Sequence, residues 1–425
     1  MKLFNSPFLF LVAAAGLLAA DSDPASAPVR PEALVAEIVA RHPEIAFYAA
    51  EIDAAKAGRR SAAAPADPEL ALELGRKRAR DPAGVLAGEG TAWTVSLAQT
   101  FEWPGRLALR KAIANHEVEL AELGLARFRS GLASRARVLA FGLYAANARA
   151  AAVREVADRF AALKEVFLAR EPAGITPQLE TRVIEAAELV LQRRATEADV
   201  ALHGALLELN QLRGAAVDAP LRIAAFPLQF NEAPLSAELL ASARERNFDF
   251  RIRRVELEQQ GLEVRLARHE RQPAVTVRPY VARESAGERE TTVGLGVSLP
   301  LPVGPRSGAA AEAAESRRRQ AEAGLFAAQR ELERDVLTAA HAFATRVAEL
   351  RRWADNSADK FREAAALADR HYRLGAVPIA TYVELQHSYL EAVEARFETQ
   401  RETLEAGLRL QLLTGHDFQP VAIAP

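Results

Sequence analysis

An internal repeat constrains this chain more than any other feature. Two stretches lie 201 residues apart, so that Gly174 falls on Gly375, Pro177 on Pro378, Leu209 on Leu410, Leu212 on Leu413 and Gly214 on Gly415. Each opens with a Gly-x-x-Pro break, runs as one helix of about 36 residues and stops at a glycine. Proline suits a first helical turn, where its missing N–H is not needed, and glycine suits a C-terminal cap. Self-similarity over such a period means that one structural unit is used twice. The 425 residues are therefore read as one elongated body rather than two or three globular domains.

Within each unit the hydrophobic period switches twice. Residues 31–64 carry Leu34, Ile38, Ile45 and Ile52 on one helical stripe. After Pro65 and Pro68, Leu70, Leu72 and Leu74 alternate with Ala71, Glu73 and Gly75. Beyond a polar turn (81–90), Trp93, Val95, Leu97 and Phe101 alternate with Thr94, Ser96, Ala98 and Thr100. From about 107 to 170 the period is helical again, with Val118, Leu125, Leu132 and Leu139 seven apart. The second unit repeats the order: a helix over 235–271; Val275, Val277 and Val281 alternating with Thr276, Arg278 and Tyr280; Val293, Leu295, Val297 and Leu299 alternating with Gly294, Gly296 and Ser298; and a long helix over 309–372.

This reading divides the chain into a signal peptide (1–27), a first repeat (28–214) with a hairpin over 69–102, a linker (215–234), a second repeat (235–415) with a hairpin over 274–300, and a tail (416–425). The apolar run Phe8–Ala20 after Lys2 is too short to span a bilayer and reads as a secretory leader; cleavage fits after Ala20 or after Ala27. No later run reaches the length of a transmembrane helix. The four strands, by contrast, have the length and alternation of outer-membrane β-strands. Trp93, Val95, Leu97, Phe101, Val275, Val277, Val293, Leu295 and Val297 are expected to face lipid. An arginine at Leu97 should then impair assembly, and one at Ser96 should be tolerated better. Four strands cannot close a barrel, and an open edge is not tolerated in lipid, so the barrel must be shared: eight strands from two chains, twelve from three. Two short helices end to end match one long helix, which gives each repeat the form of a helical hairpin crowned by two strands.

Composition narrows the function. The chain has no cysteine, which excludes disulfides, thiol catalysis and a lipid anchor on an N-terminal cysteine. A net charge of −2 gives no footprint for nucleic acid. No nucleophile–base pair, phosphate loop or metal-ligand cluster is found, so neither an enzyme nor a cofactor or metal site is expected. His116 with Glu119 and His387 with Glu391 read as solvated helix faces. Arg76, Lys77, Arg78 and Arg80 follow the first strand and read either as a solvated basic loop or as contacts for anionic headgroups.

The layout resembles the TolC family of outer-membrane efflux proteins. The resemblance rests on Tyr372-Arg-Leu-Gly375 with the helix to Leu413-Thr-Gly415, on its earlier copy from Gly174 to Gly214, and on the Pro68-x-Leu70 strand entry. The pattern Phe101-Glu-Trp-Pro-Gly-Arg106 with Arg110 looks like the subgroup serving metal-cation pumps. The resemblance implies a homotrimer with a twelve-stranded barrel, four strands per chain, continued by a long periplasmic α-helical coiled-coil barrel. It also implies a periplasmic adaptor and an inner-membrane pump, of the RND type, as partners. By match to the family, Glu384 and Thr381 occupy the periplasmic gate. Gly174, Ile175, Arg373, Leu374 and Gly375 match the tips that receive the adaptor, and Arg373 is the nearest basic neighbour in sequence for Glu384. The expected function is a passive exit duct for efflux. A type I secretion duct and a poreless periplasmic spacer are the alternatives.

Overall fold

The computed structural model describes residues 28–168, 175–226, 228–286, 288–301, 306–353, 357–415 and 418–423. The expected signal peptide lies outside these residues. In chain order the elements are α1 (Pro31–Arg41), α2 (Pro43–Ala62), β1 (Glu69–Arg80), β2 (Leu86–Phe101), α3 (Arg106–Leu168), α4 (Ile175–Arg213), β3 (Leu228–Phe230), α5 (Ser236–Arg246), α6 (Phe248–His269), β4 (Val275–Ala286), β5 (Glu288–Ser298), α7 (Arg306–Arg352), α8 (Ser357–Arg373), α9 (Ile379–Thr414) and β6 (Val421–Ile423).

The entry helices differ from the sequence expectation in one respect. Each was read as continuous, and each is broken once, at matching places 205 residues apart. His42 is extended (φ −60°, ψ 128°) because Pro43 follows it and disfavours the helical region for the residue before it. Asn247 adopts nearly the same angles (φ −58°, ψ 125°), and its side-chain oxygen accepts from the Phe250 N–H at 2.9 Å, which caps α6. The second long helix likewise consists of α7 and α8. The strands run further than expected: the first turn shrinks to residues 81–85, so Arg76, Lys77, Arg78 and Arg80 belong to β1 rather than to a loop.

The helix α3 has 63 residues, or about 95 Å at 1.5 Å per residue. One half packs on α4, and the other on α1, α2 and α6. The end of α4 meets the start of α1 midway along α3: Leu34, Val35 and Ile38 share a core with Leu132, Ala136, Phe141, Leu209 and Leu212. A second core joins Val156, Phe160 and Leu163 of α3 to Ile184 and Leu191 of α4, and to Ala365, Tyr382 and Leu390 of α8 and α9. A third holds Leu332, Val336 and Phe343 of α7 against Leu239, Leu410 and Phe418. Of the residues seven apart in the sequence, Val118 and Leu132 are buried and Leu125 and Leu139 partly so. Near Leu410, the left-handed Gly415 (φ 76°) is needed twice. A Cβ there would also meet the Arg246 carbonyl carbon and oxygen at 2.9 Å.

One pairing was not anticipated. Linker and tail form a two-stranded sheet, β3 with β6, in which Leu228 pairs with Ile423 and Phe230 with Val421. Asn231 ties the same segments by donating from its side-chain nitrogen to the Gln419 carbonyl at 2.8 Å. A parallel bridge joins Val29 to Ile223.

Candidate functional site

The larger sheet is four-stranded and antiparallel, in the order β1-β2-β4-β5. The two repeats meet through β2 and β4, with Val95 opposite Val281 and Phe101 opposite Val275. The register sorts the side chains onto two faces. Leu70, Leu72 and Leu74 lie opposite Leu97, Val95 and Trp93; Val277 and Val281 lie opposite Val297 and Val293, and Pro279 lies opposite Leu295. One apolar band therefore crosses all four strands. Among the described residues nothing covers it: Leu74 and Val293 are more than three-quarters exposed, and Leu70, Leu72, Leu295, Val297 and Phe101 are all exposed. From Phe101 to Trp93 the band runs eight residues, about 26 Å along the strand at 3.3 Å each. That is close to the roughly 25 Å hydrocarbon-facing band of outer-membrane barrels.

The other face is small and polar, with Ser96 and Ala98 buried. Tyr280 lies over Gly294, where a Cβ would sit 2.5 Å from its ring; an aromatic side chain covering a strand glycine is a known way to fix register. The β2–β4 ladder is interrupted between Ser96–Tyr280 and Gln99–Val277. Pro279 falls in that gap and has no N–H to donate. The burial of Ser96 corrects one expectation. An arginine there would overpack a covered site, so Ser96 is not a tolerant position on this face.

Between sheet and helices sits a buried clamp. Arg106, 8% exposed, opens α3 and donates to the carbonyls of His269 (3.1 Å) and Gln272 (2.8 Å) at the end of α6. It thereby ties the start of α3 to the last residue of α6 and the turn that follows it. Arg110 donates to Glu102 at 2.5 Å. The Phe101–Arg110 motif thus fixes the angle between the sheet and the long helix. Arg306, its counterpart in the second repeat, opens α7, and residues 302–305 lie outside the described residues.

At the opposite end, α8 turns into α9 through Gly375, which is left-handed (φ 73°) with open space around its Cα. Leu374 is three-quarters exposed. Arg373 is paired with Asp369 at 3.0 Å. Thr381 and Glu384 are exposed and three residues apart on α9, hence on one face. Ile175 begins α4, and Gly174 lies outside the described residues. Behind this exposed face is a covered one that sequence reasoning passed over. Tyr382 is fully buried, stacks on Tyr372 (5.3 Å between centroids) and packs on Phe160. Burial, with Asp369 nearby, pushes its phenol well above the ordinary tyrosine range. Gln386, also fully buried, donates to the Ala365 carbonyl at 2.7 Å and accepts from Arg159 at 3.1 Å. Arg159 and Arg362 both hold Glu155. The alternation of buried Tyr382 and Gln386 with exposed Thr381 and Glu384 was the available signal.

Among the described residues no group of three or more His, Asp or Glu side chains is placed to hold a metal. His116 and Glu119 are 3.3 Å apart as an isolated pair. Among the described residues no helix is long and apolar enough to cross a membrane.

An uncovered apolar band on a sheet, carried by helices far longer than a membrane is thick, is the architecture expected of an outer-membrane channel protomer with a periplasmic extension. Residues 239–416 match the outer membrane efflux protein family. No curated protein sequence matches the chain. Solved structures with the same fold include the outer membrane channel CmeC of Campylobacter jejuni (15% identity, TM-score 0.74, covering 98% of this chain and 95% of that one). The open-state MtrE outer membrane channel of Neisseria gonorrhoeae is similar (15%, TM-score 0.72, 91% and 89%), and so is CusC, described in its transmembrane channel formation (15%, TM-score 0.73, 91% and 92%). That family match lies in the second repeat, and the fold shared with these solved channels extends through the first.

Proposed function

We propose that three copies of this chain close a twelve-stranded barrel that continues into a helical tunnel. In this reading the assembly is the exit duct of a tripartite system, fed by an inner-membrane pump of the RND type through a periplasmic adaptor. The observation that carries the proposal is the pair of unpaired strand edges, β1 and β5, on a sheet whose apolar face is uncovered. An open edge in lipid leaves backbone groups without partners. The strand directions alternate across β1-β2-β4-β5, so β5 of one copy beside β1 of the next continues the antiparallel pattern, and a head-to-tail contact of this kind closes into a ring. Metal cations are the cargo class that the resemblance of the 101–110 motif favours. Arg106 and Arg110 themselves hold the junction, and cargo choice belongs to the pump.

The absence of cysteine makes the test clean. Single cysteines placed along β1 and along β5, combined pairwise, should give inter-subunit disulfides at one register, with a crosslinked product of three chains. A product limited to two chains, or none at any register, would refute the arrangement.

A gate follows from the same symmetry. Three copies of Glu384 would face one axis, and such a ring concentrates cations and offers oxygen ligands to a divalent ion. Glu384→Ala should weaken divalent-cation block and cation selectivity of single channels in planar bilayers. Glu391→Ala, two turns further along, should change them less. Unchanged block in the Glu384 variant would mark it as a surface carboxylate only.

A further inference from the structure

Above the apolar band the sheet separates charge by face. On the outward face, directly beyond Leu74 and Trp93, the register places Arg76 and Arg78 on β1, Arg283 on β4 beside Trp93, and Arg289 on β5, with Arg80 at the strand end. Glu89 is the one outward carboxylate among the described residues of this belt, and Arg76 and Arg78 share it at 2.9 and 2.7 Å. Arg283 and Arg289 have no ion pair among the described residues. At the same height the inward face carries Glu284, Glu288 and Glu290, with Lys77 bonded to Glu284 and 3.5 Å from Glu290. If water bathed both faces equally, nothing would favour putting five arginines on one and three glutamates on the other.

Position explains the sorting. Arg76 is two residues beyond Leu74, about 7 Å along the strand, at the depth where an apolar band gives way to headgroups. Trp93, opposite Leu74 and level with Arg283, has the side chain that suits such an interface. The strand ends lie away from the helices, hence on the outer side of the membrane. Guanidinium groups pair with phosphate through two parallel hydrogen bonds, a geometry lysine does not offer, and in this belt every outward cation is an arginine.

We propose that Arg76, Arg78, Arg283 and Arg289 form a binding belt for phosphate-bearing lipid headgroups of the outer leaflet. This goes beyond the duct reading and needs only that the band faces lipid.

The test uses the full chain in detergent, titrated with bis-phosphorylated lipid A and followed by native mass spectrometry of the bound lipid. Arg76→Gln/Arg78→Gln/Arg283→Gln/Arg289→Gln should bind at least about ten-fold more weakly, since each basic residue near an anionic surface contributes roughly five-fold. Arg182→Gln/Arg193→Gln, which removes exposed charge from α4, should bind as wild type does. Inorganic phosphate at the same concentration should not displace the lipid. Should the four-fold variant fail to fold, Arg283→Gln/Arg289→Gln and the matching pair of lysine variants take its place, with the glutamine pair expected to bind more weakly than the lysine pair. Equal binding by wild type and the glutamine variants, an equal loss in the α4 control, or displacement by free phosphate would each overturn the proposal.

Discussion

Leu97→Arg should block membrane assembly, at a cost of about 2–4 kcal/mol per copy if it lies near the bilayer midplane. Leu97 sits four residues from Phe101 and four from Trp93, at the centre of the band, and nearly half of its surface is exposed. No polar group faces it across the sheet: its partner on β1 is Leu70. The matched control is Ala71→Arg. Ala71 is one residue from Leu70, opposite Ser96 on the inward face, and is exposed there. It occupies the same depth and differs only in the side of the sheet. The heat-modifiable outer-membrane fraction should be lost for Leu97→Arg and kept for Ala71→Arg. Equal levels for the two variants would mean that the outward face is not the lipid face.

That contrast was readable in the sequence because a strand's side chains alternate with period two, so Trp93, Val95 and Leu97 declare a face before any strand is paired. What alternation does not give is the fit on the inner face. Ser96 is buried in a sheet where β4 brings Tyr280 opposite it, 184 positions away in the chain. The breaks at His42 and Asn247 lay within reach, since a residue before proline and an asparagine ahead of a helix are both boundary signals; the hydrophobic stripe ran through them and hid them. The β3–β6 pairing had no comparable signal, because three residues on each side are too few to show a period. The Arg106 clamp was equally hidden: the arginine is visible in the motif, and its acceptors at His269 and Gln272 are known only once α3 and α6 lie side by side. The tips show the same division. Gly375 and Pro378 announce the turn between α8 and α9, but the partner of Arg373, one helical turn back at Asp369, depends on side-chain direction.

Gly375→Val should abolish efflux while leaving the level of assembled channel near wild type. Two effects must be separated. Gly375 has φ 73°, and a left-handed residue with a Cβ costs roughly 1–2 kcal/mol, more for a β-branched one. That strain acts on the turn alone and is small against the long cores that hold α8 and α9 to α3. The second effect is steric at the surface. Among the described residues no heavy atom lies within 4 Å of the position a Cβ would take, so steric intolerance, as distinct from the strain, points to something that docks there. Gly375→Asn distinguishes the two, because asparagine accepts the left-handed region yet places four heavy atoms beyond Cα. If the tip receives an adaptor by close backbone approach, Asn should lose efflux and adaptor cross-linking almost as fully as Val. Wild-type efflux with Asn and loss only with Val would show that the glycine serves the turn and not a partner.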